Sequence, residues 1–507
     1  MTWHGCRLSP LAVSIAKNAL FKKNSIPHGC TRGGTSLLSP SKFWMLLVVP
    51  SNRIQKSPSI FNINLQPLFP NGTPMISRCL LCLVLIAVVC GGAAAQSQKG
   101  TFALTNARIQ TVTNGVVERG VLVIRDGTIA ALGPDVPVPA DATVIDCSGL
   151  TLYPGMIDGG TQLGLVEVGS LPETRDNREL GQIAPQMRAL TAVNPNSVSI
   201  PVTRVSGVTT VLTVPNGGLF PGTAALINLN GYTPEQMSVA GWQAVAMNFP
   251  STGRRGWWDD RPEEEVEKEA TKARERLDDV WRKARLYAAI DSARRANPDP
   301  KRLPEYLPEM DALLPAVTGR APLLIEVNVA RDIDSAIVWA KQNNVRAIFT
   351  GVEEGWRVAD KLAAAKIPCI VGPVLSIPNR PSDRYDRAYG NAGLLHAAGV
   401  KVALRTNEEA NVRNLPFQAG YAAAYGMGRE EALRAVTITA AEIFGVSNQL
   451  GSLEVGKQAT LFAADGDPFE PATNIRHLFI DGYRIPMTSR HTDLHQEFLH
   501  RQPGLKE

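Results

Sequence analysis

Apolar and polar positions alternate near both ends of this chain and bunch into short runs through its middle. Thr101 to Ile109 alternates, Gly120 to Gly133 reads as a hairpin turning at Asp126-Gly127, and Thr143 to Asp146 predicts another strand. After Pro154-Gly155 the period changes. Apolar runs at Val208–Val214, Ala244–Met247, Pro322–Val327, Ala347–Thr350, Cys369–Val371 and Val400–Leu404 are separated by stretches of helical spacing. Among the latter are Ile333–Asn343, Trp356–Ala365 and Arg429–Phe444. Mostly uncharged, β-branched runs between helices predict a parallel sheet buried on both faces. Ala459–Ala464 and His477–Ile485 then return to strand, with a tight Asp-Gly turn. Strands, an αβ repeat and strands again fit a barrel flanked by a small β domain built from both chain ends.

One segment departs from this rhythm. Pro262 to Ala296 is charge-rich, with Glu264 and Lys268 at i,i+4 and Glu269 and Lys272 at i,i+3, which predicts a solvated helix inserted after a barrel strand. A lid or a partner-docking helix is the alternative reading.

Composition narrows the class. The 507 residues are 44% hydrophobic and 20% charged, a globular balance that excludes wholesale disorder and a fibrous fold. The net charge of +5 belongs to the N-terminus: residues 1–95 hold nine Lys and Arg and no acidic residue, so the remainder is acidic overall. Basicity therefore gives no support for a nucleic-acid partner. Met75-Ile-Ser-Arg78, the apolar stretch Cys79 to Val89 and Ala93-Ala94-Ala95 before Gln96 have the layout of a secretory signal peptide over 75–95. The apolar stretch is too short to span a bilayer. A secreted or periplasmic mature chain starting near Gln96, with no stable membrane insertion after cleavage, is the expectation. Residues 1–74 are then a disordered extension or a mis-assigned start. Five of the seven Cys precede Gln96, and Cys147 and Cys369 alone make neither a disulfide framework nor a four-Cys zinc site.

Five phrases, in order, resemble the amidohydrolase superfamily, nearest to its imidazolonepropionase-like members. They are Leu152-Tyr-Pro-Gly-Met-Ile-Asp158, Gly207-Val-Thr-Thr210, Asn391-Ala with Ala398-Gly-Val-Lys-Val-Ala403, Ala432 to Glu442, and Leu450-Gly-Ser-Leu-Glu-Val-Gly-Lys457 followed by Asp465-Gly-Asp-Pro468. The resemblance implies an α/β fold: a (β/α)8 TIM-like barrel over 154–445, carrying a helical insertion at 262–300. It also implies a small composite β-sandwich domain from 96–153 and 446–488, leaving a tail at 489–507. It further implies hydrolysis of non-peptide, amide or cyclic-amide C–N bonds by a hydroxide on Zn or another divalent metal, whose charge brings the pKa of bound water toward neutrality.

The ligand positions that this family uses are altered. Where the first strand should carry His-x-His stand Gly160 and Gln162; the fifth strand has Glu326, the sixth Thr350, and the eighth Asn407 in place of Asp. His396 is the one His in the barrel stretch, and no Lys occurs between residues 100 and 267 to serve as a modified bridging lysine. An amide cannot accept a proton from water, so Asn407 is no general base, and the usual metal centre is not expected. Glu408 and Glu409 are weighed as stand-ins.

Asp158 and Glu326 remain as candidate catalytic carboxylates. Gln162, Glu167, Asn328, Thr350 and Asn407 are candidate ligand-binding groups, with Gly217 and Gly218 of the loop Pro215–Gly222 as backbone donors or simple turn formers. Trp257 and Trp258 either cover the pocket mouth or pack on the inserted helix. His491 and His495 suit adventitious metal on a tail helix. Two classes of function stay open. One is a recast C–N hydrolase. The other is a non-catalytic exported protein that binds a small molecule, or a pseudoenzyme partner of an intact amidohydrolase, in a homo- or hetero-oligomer.

Overall fold

The alternating and bunched apolar patterns become two sheets in the computed structural model, which describes residues 98–253, 259–297 and 305–501. The expected signal peptide, residues 1–74, Trp257 and Trp258 lie outside these residues. Six strands come first: β1 Gln98–Lys99, β2 Phe102–Gln110, β3 Val116–Arg125, β4 Thr128–Gly133, β5 Thr143–Asp146 and β6 Thr151–Pro154. Eight follow in the central stretch: β7 Met156–Thr161, β8 Val208–Thr213, β9 Gly222–Asn228, β10 Ser238–Asn248, β11 Leu323–Val327, β12 Ala347–Gly351, β13 Cys369–Val371 and β14 Val402–Leu404. The last three are β15 Leu461–Ala464, β16 Ile475–Ile480 and β17 Tyr483–Ile485.

The outer strands join in the order β1-β17-β16-β15-β6-β2-β3-β4, with β5 added on β2. The β6–β15 pairing, Leu461 opposite Pro154 and Ala464 opposite Thr151, unites the two ends of the described chain. Hydrogen bonding thus makes one continuous sheet, across which Phe102 of β2 meets Phe479 of β16 with ring centroids 5.2 Å apart. Its apolar core includes Leu104, Leu122, Ile124, Leu152, Leu461 and Phe479. Cys147 lies here and Cys369 in the barrel's outer core, both buried and unpaired.

The central strands run in the order β7 to β14. Seven are parallel, but β9 is antiparallel to both β8 and β10, which departs from a strict (β/α)8 repeat. The reason is local. Pro215–Gly222 turns the chain straight back, with Gly217 and Gly218 at φ of 87° and 64°, so no helix crosses over between β8 and β9. Inside the barrel, Ile157, Leu212, Leu226, Leu324, Ile348, Ile370 and Ala403 form one apolar cluster, whereas the alternate strand residues face the surrounding helices.

The charged segment is not an insertion standing off the barrel. Glu263–Ala296 is a single helix in the connection between β10 and β11, and it buries Val266, Ala270, Leu277, Val280, Trp281 and Ala284 along one face. Trp281 meets Trp339 of helix Ala330–Gln342 edge-on, with ring centroids 5.2 Å apart, and Trp339 Nε1 donates to Asp278 at 3.0 Å. Charges occupy the other face, with Lys283 pairing Asp279 at i,i+4. The stretch expected as one helix, Arg429–Phe444, is broken into Arg429–Ala435 and Ile438–Phe444. At the break the Val436 carbonyl accepts from Ile157 N at 2.7 Å. Among the described residues no helix is long and apolar enough to cross a membrane.

Trp281 is 2% exposed. Trp281→Ala is expected to cost about 3–5 kcal/mol in urea unfolding, as aromatic truncations in packed sites do, while Trp281→Phe loses much less. An alanine variant within about 1 kcal/mol of the parent would contradict a helix docked through this contact.

Candidate functional site

Closing the barrel brings β7 against β14, and side chains make the joint. Asp158 on β7 is fully buried, and its carboxylate accepts from Gly160 N at 2.9 Å, from Thr406 Oγ1 at 2.6 Å and from Thr406 N at 3.2 Å. Asn407 N donates to Gly160 O at 2.9 Å and Gln162 N to Glu408 O at 3.1 Å. Burial pushes the Asp158 carboxyl up to about 6, against the opposing pull of Thr406, Gly160 and Arg405.

Above this joint, at the C-terminal ends of the strands, lies a pocket of about 120 Å³. Period-two alternation carries the inward face of each strand from an apolar residue to a polar one two positions on: Leu324 to Glu326, Ile348 to Thr350, Ala403 to Arg405. Arg405 is the centre of the constellation, with a side chain only 5% exposed. Its Nη1 donates to Glu326 Oε2 at 2.6 Å and to Thr350 Oγ1 at 2.7 Å, its Nη2 to Glu326 Oε1 at 2.8 Å, and its Nε to the Gly372 carbonyl at 3.1 Å. This is a two-point guanidinium–carboxylate pair with the remaining edge also bonded. Gly160 adjoins it: a Cβ there would sit 3.2 Å from Arg405 Cδ.

Gly160, Glu326 and Thr350, three of the positions where metal ligands were looked for, therefore converge on a residue that the sequence reading passed over. A charged residue two positions after the inward Ala403 was the available signal. The rest of the wall mixes carboxamides, Gln162, Asn216, Asn248 and Asn407, with Val214, Ala246, Met247 and Leu324. Gln162 Oε1 accepts from Asn177 Nδ2, and Asn248 Nδ2 donates to Gly218 O at 2.7 Å.

Other sequence candidates fall elsewhere. Asp158 does not line the pocket, because its carboxylate is committed to the joint beneath it. Glu167 accepts from Asn194 and Ser197 outside the mouth. Asn328 donates to Glu326 Oε1 at 3.1 Å, behind the pocket lining. Gly217 and Gly218 shape the turn and are not wall residues. Glu408 gives its carbonyl to the joint, and neither its side chain nor that of Glu409 reaches the lining. His491 and His495 lie on the exposed helix Arg490–His500.

A model of the amidohydrolase family matches residues 387–485. No curated protein sequence matches the chain. Among solved structures, an amidohydrolase from Thermotoga maritima MSB8 superposes with a TM-score of 0.66 at 23% identity, over 76% of this chain and 99% of that one. A prolidase complexed with N-methylphosphonate-L-proline gives 0.46 at 17% over 76% and 99%, and phenylurea hydrolase B 0.45 at 17% over 76% and 97%. The Thermotoga likeness establishes the architecture, a mixed α/β fold around an eight-stranded barrel.

Two outcomes follow from the geometry. The raised Asp158 carboxyl contributes stability below its unfolded value near 3.8 that is lost as pH rises through about 6. By linkage that loss is about 3 kcal/mol. Asp158→Asn should therefore flatten this part of the stability–pH curve between pH 4 and 7 in urea titrations; an unchanged curve counts against it. Further, Gly160→His should destabilise the parent by about 1 kcal/mol or more beyond its effect in an Arg405→Ala background. Equal effects in a four-variant unfolding cycle would show that Arg405 does not occupy the space that a side chain at 160 needs.

Proposed function

We propose that this chain has an amidohydrolase-type fold of C–N hydrolase descent, imidazolonepropionase-like in its motifs. Its barrel mouth binds a small polar molecule without the family's metal-bound hydroxide. The observation that carries this reading is the Arg405 guanidinium seated on Glu326 and Thr350.

The donor set does not fit a divalent ion. Of the five altered positions Gly160, Gln162, Glu326, Thr350 and Asn407, Glu326 alone is anionic, and both of its oxygens face a guanidinium. A metal ion bound there would meet a fixed like charge at hydrogen-bonding range, in a site partly shielded from water where that repulsion is strong. Arg405 supplies the positive charge internally, with Gly160, Glu326 and Thr350 arranged around it.

A carboxylate-only hydrolase fares less well. Asp158 is committed beneath the pocket, and Glu326 has both oxygens engaged by Arg405, so that among the described residues no free carboxylate lines the mouth. What the wall offers instead is recognition: amide donors and acceptors over an apolar floor, with an ion pair of zero net charge. An exported binding protein, or a non-catalytic partner of an intact relative, uses such a pocket directly. The export half of this reading rests on the signal-like segment 75–95.

Metal analysis tests the central point. Untagged protein carrying His491→Ala and His495→Ala, which remove the exposed tail pair, should hold far less than one equivalent of Zn, Mn or Ni after dialysis. Its melting temperature should be unmoved by EDTA. One equivalent of chelatable metal, lost on Glu326→Gln, would overturn the reading.

A further inference from the structure

A groove of about 570 Å³ runs along helix Glu263–Ala296, walled on its other side by the start of helix Pro308–Val317. It shares no residue with the barrel mouth. Its long wall extends from Arg276 to Ile290, about 21 Å of helix, on the flank next to the buried stripe through Trp281. Leu286 and Ile290 come from that wall, Leu307 and Met310 from the opposite one, and Ile183 from the segment after β7. Leu286 is 62% exposed and Ile290 43%, so a single chain leaves this surface in water. An apolar surface of that extent marks a contact site.

The charges on the long wall lean positive. Asp279 is shared by Lys283 and by Arg282 beside it, and among the described residues Arg276 has no ion pair. On the opposite wall Glu309 lies in the first turn of its helix, where the helix dipole already favours a carboxylate.

The same chain carries a ridge of matching character. Helix Arg490–His500 buries none of its residues. Phe498 is 60% exposed and Leu499 63%, and Leu494 lies one turn before Phe498 on the same side. Phe498 keeps that exposure with the Arg501 guanidinium 5.2 Å from its ring centroid. Asp493 and Glu497, also one turn apart, give the helix an acidic flank, and among the described residues neither has an ion pair. Eleven residues make a rod of about 16 Å, which fits within the length of the groove.

This helix needs no partner in order to form. Ser489 N donates to Thr492 Oγ1 at 2.8 Å and Thr492 N to Ser489 Oγ at 3.4 Å, a reciprocal cap that fixes its start. It lies beside helix Ser199–Arg204, so the groove of its own copy stays open. An unfilled groove and an uncovered ridge on one chain, with opposite charge along their flanks, define a contact between two copies.

We propose that helix Arg490–His500 of one copy docks in the groove of a second copy. Leu494 and Phe498 then cover Leu286 and Ile290, and the Asp493–Glu497 flank faces Arg276 and Lys283. Recognition of this kind rests on apolar anchors at helical spacing. Because two different faces meet, the contact is heterologous. It is independent of what the barrel mouth binds.

Sedimentation velocity over a concentration series tests the proposal. The parent should self-associate with a Kd of about 100 µM or tighter. Phe498→Glu and Ile290→Glu each place a charge at an exposed position on one of the two faces. Each should weaken association about tenfold or more. Thermal melting checks that they fold, and Phe498→Ala or Ile290→Ala replaces a variant that does not. An equimolar mixture of the two variants should form one-to-one pairs that neither forms alone. In that mixture the intact helix of the Ile290→Glu copy meets the intact groove of the Phe498→Glu copy. A parent still monomeric at about 100 µM overturns the proposal. So does either folded variant associating as tightly as the parent, or a mixture that pairs no better than its components.

Discussion

A barrel must join its first strand to its last, and here that joint is made by a buried carboxylate. β7 and β14 share no ladder; Asp158 reaches across to the backbone and hydroxyl of Thr406, and the neighbouring amides follow. Full burial works against a charge, and three hydrogen bonds from fixed donors offset it. The same contact sets the height of Thr406 in the wall, and so the direction in which the preceding residue enters the barrel. Arg405 points inward because Thr406 is held outward to the seam, as strand alternation requires.

Once a guanidinium is placed there, its neighbours are constrained. Glu326 neutralises it, Thr350 takes a second proton of Nη1, and Gly160 leaves room for the aliphatic stem. Together they form one arrangement, because an unpaired arginine, or an unpaired glutamate, is far more costly at this depth than the pair. Among the described residues the wall beyond it carries no further charge.

Much of the fold was legible in the sequence. Apolar runs between helical stretches located seven of the eight barrel strands, counting the first from the Leu152–Asp158 phrase, and the terminal alternation located the outer sheet. β9 escaped because a Gly- and Pro-rich loop before it reads as a turn after one strand, and nothing local says that the chain comes straight back. The long helix was read as solvated because its charges outnumber its apolar residues; the buried stripe through Leu277 and Trp281 is narrow. At the site, Gly160, Glu326 and Thr350 were singled out one by one from the resemblance. Their shared neighbour was not, since the contact between Gly160 and Arg405 spans 245 residues of chain and only the closed barrel brings the two together.

The pairing of β6 with β15 has a consequence for how the molecule is made. Phe462 must find Tyr153, and the two rings stack with centroids 5.4 Å apart, yet the whole barrel lies between them in the chain. During synthesis the hairpins of β2 to β4 emerge early, with an exposed edge and an apolar face awaiting partners that are translated last. A topology dominated by such distant contacts folds slowly and keeps unpaired strands open for longer. Truncation before β15 therefore does more than delete a tail. It leaves the N-terminal sheet without its central strand, and it yields a chain inclined to associate with others rather than one that folds with a piece missing.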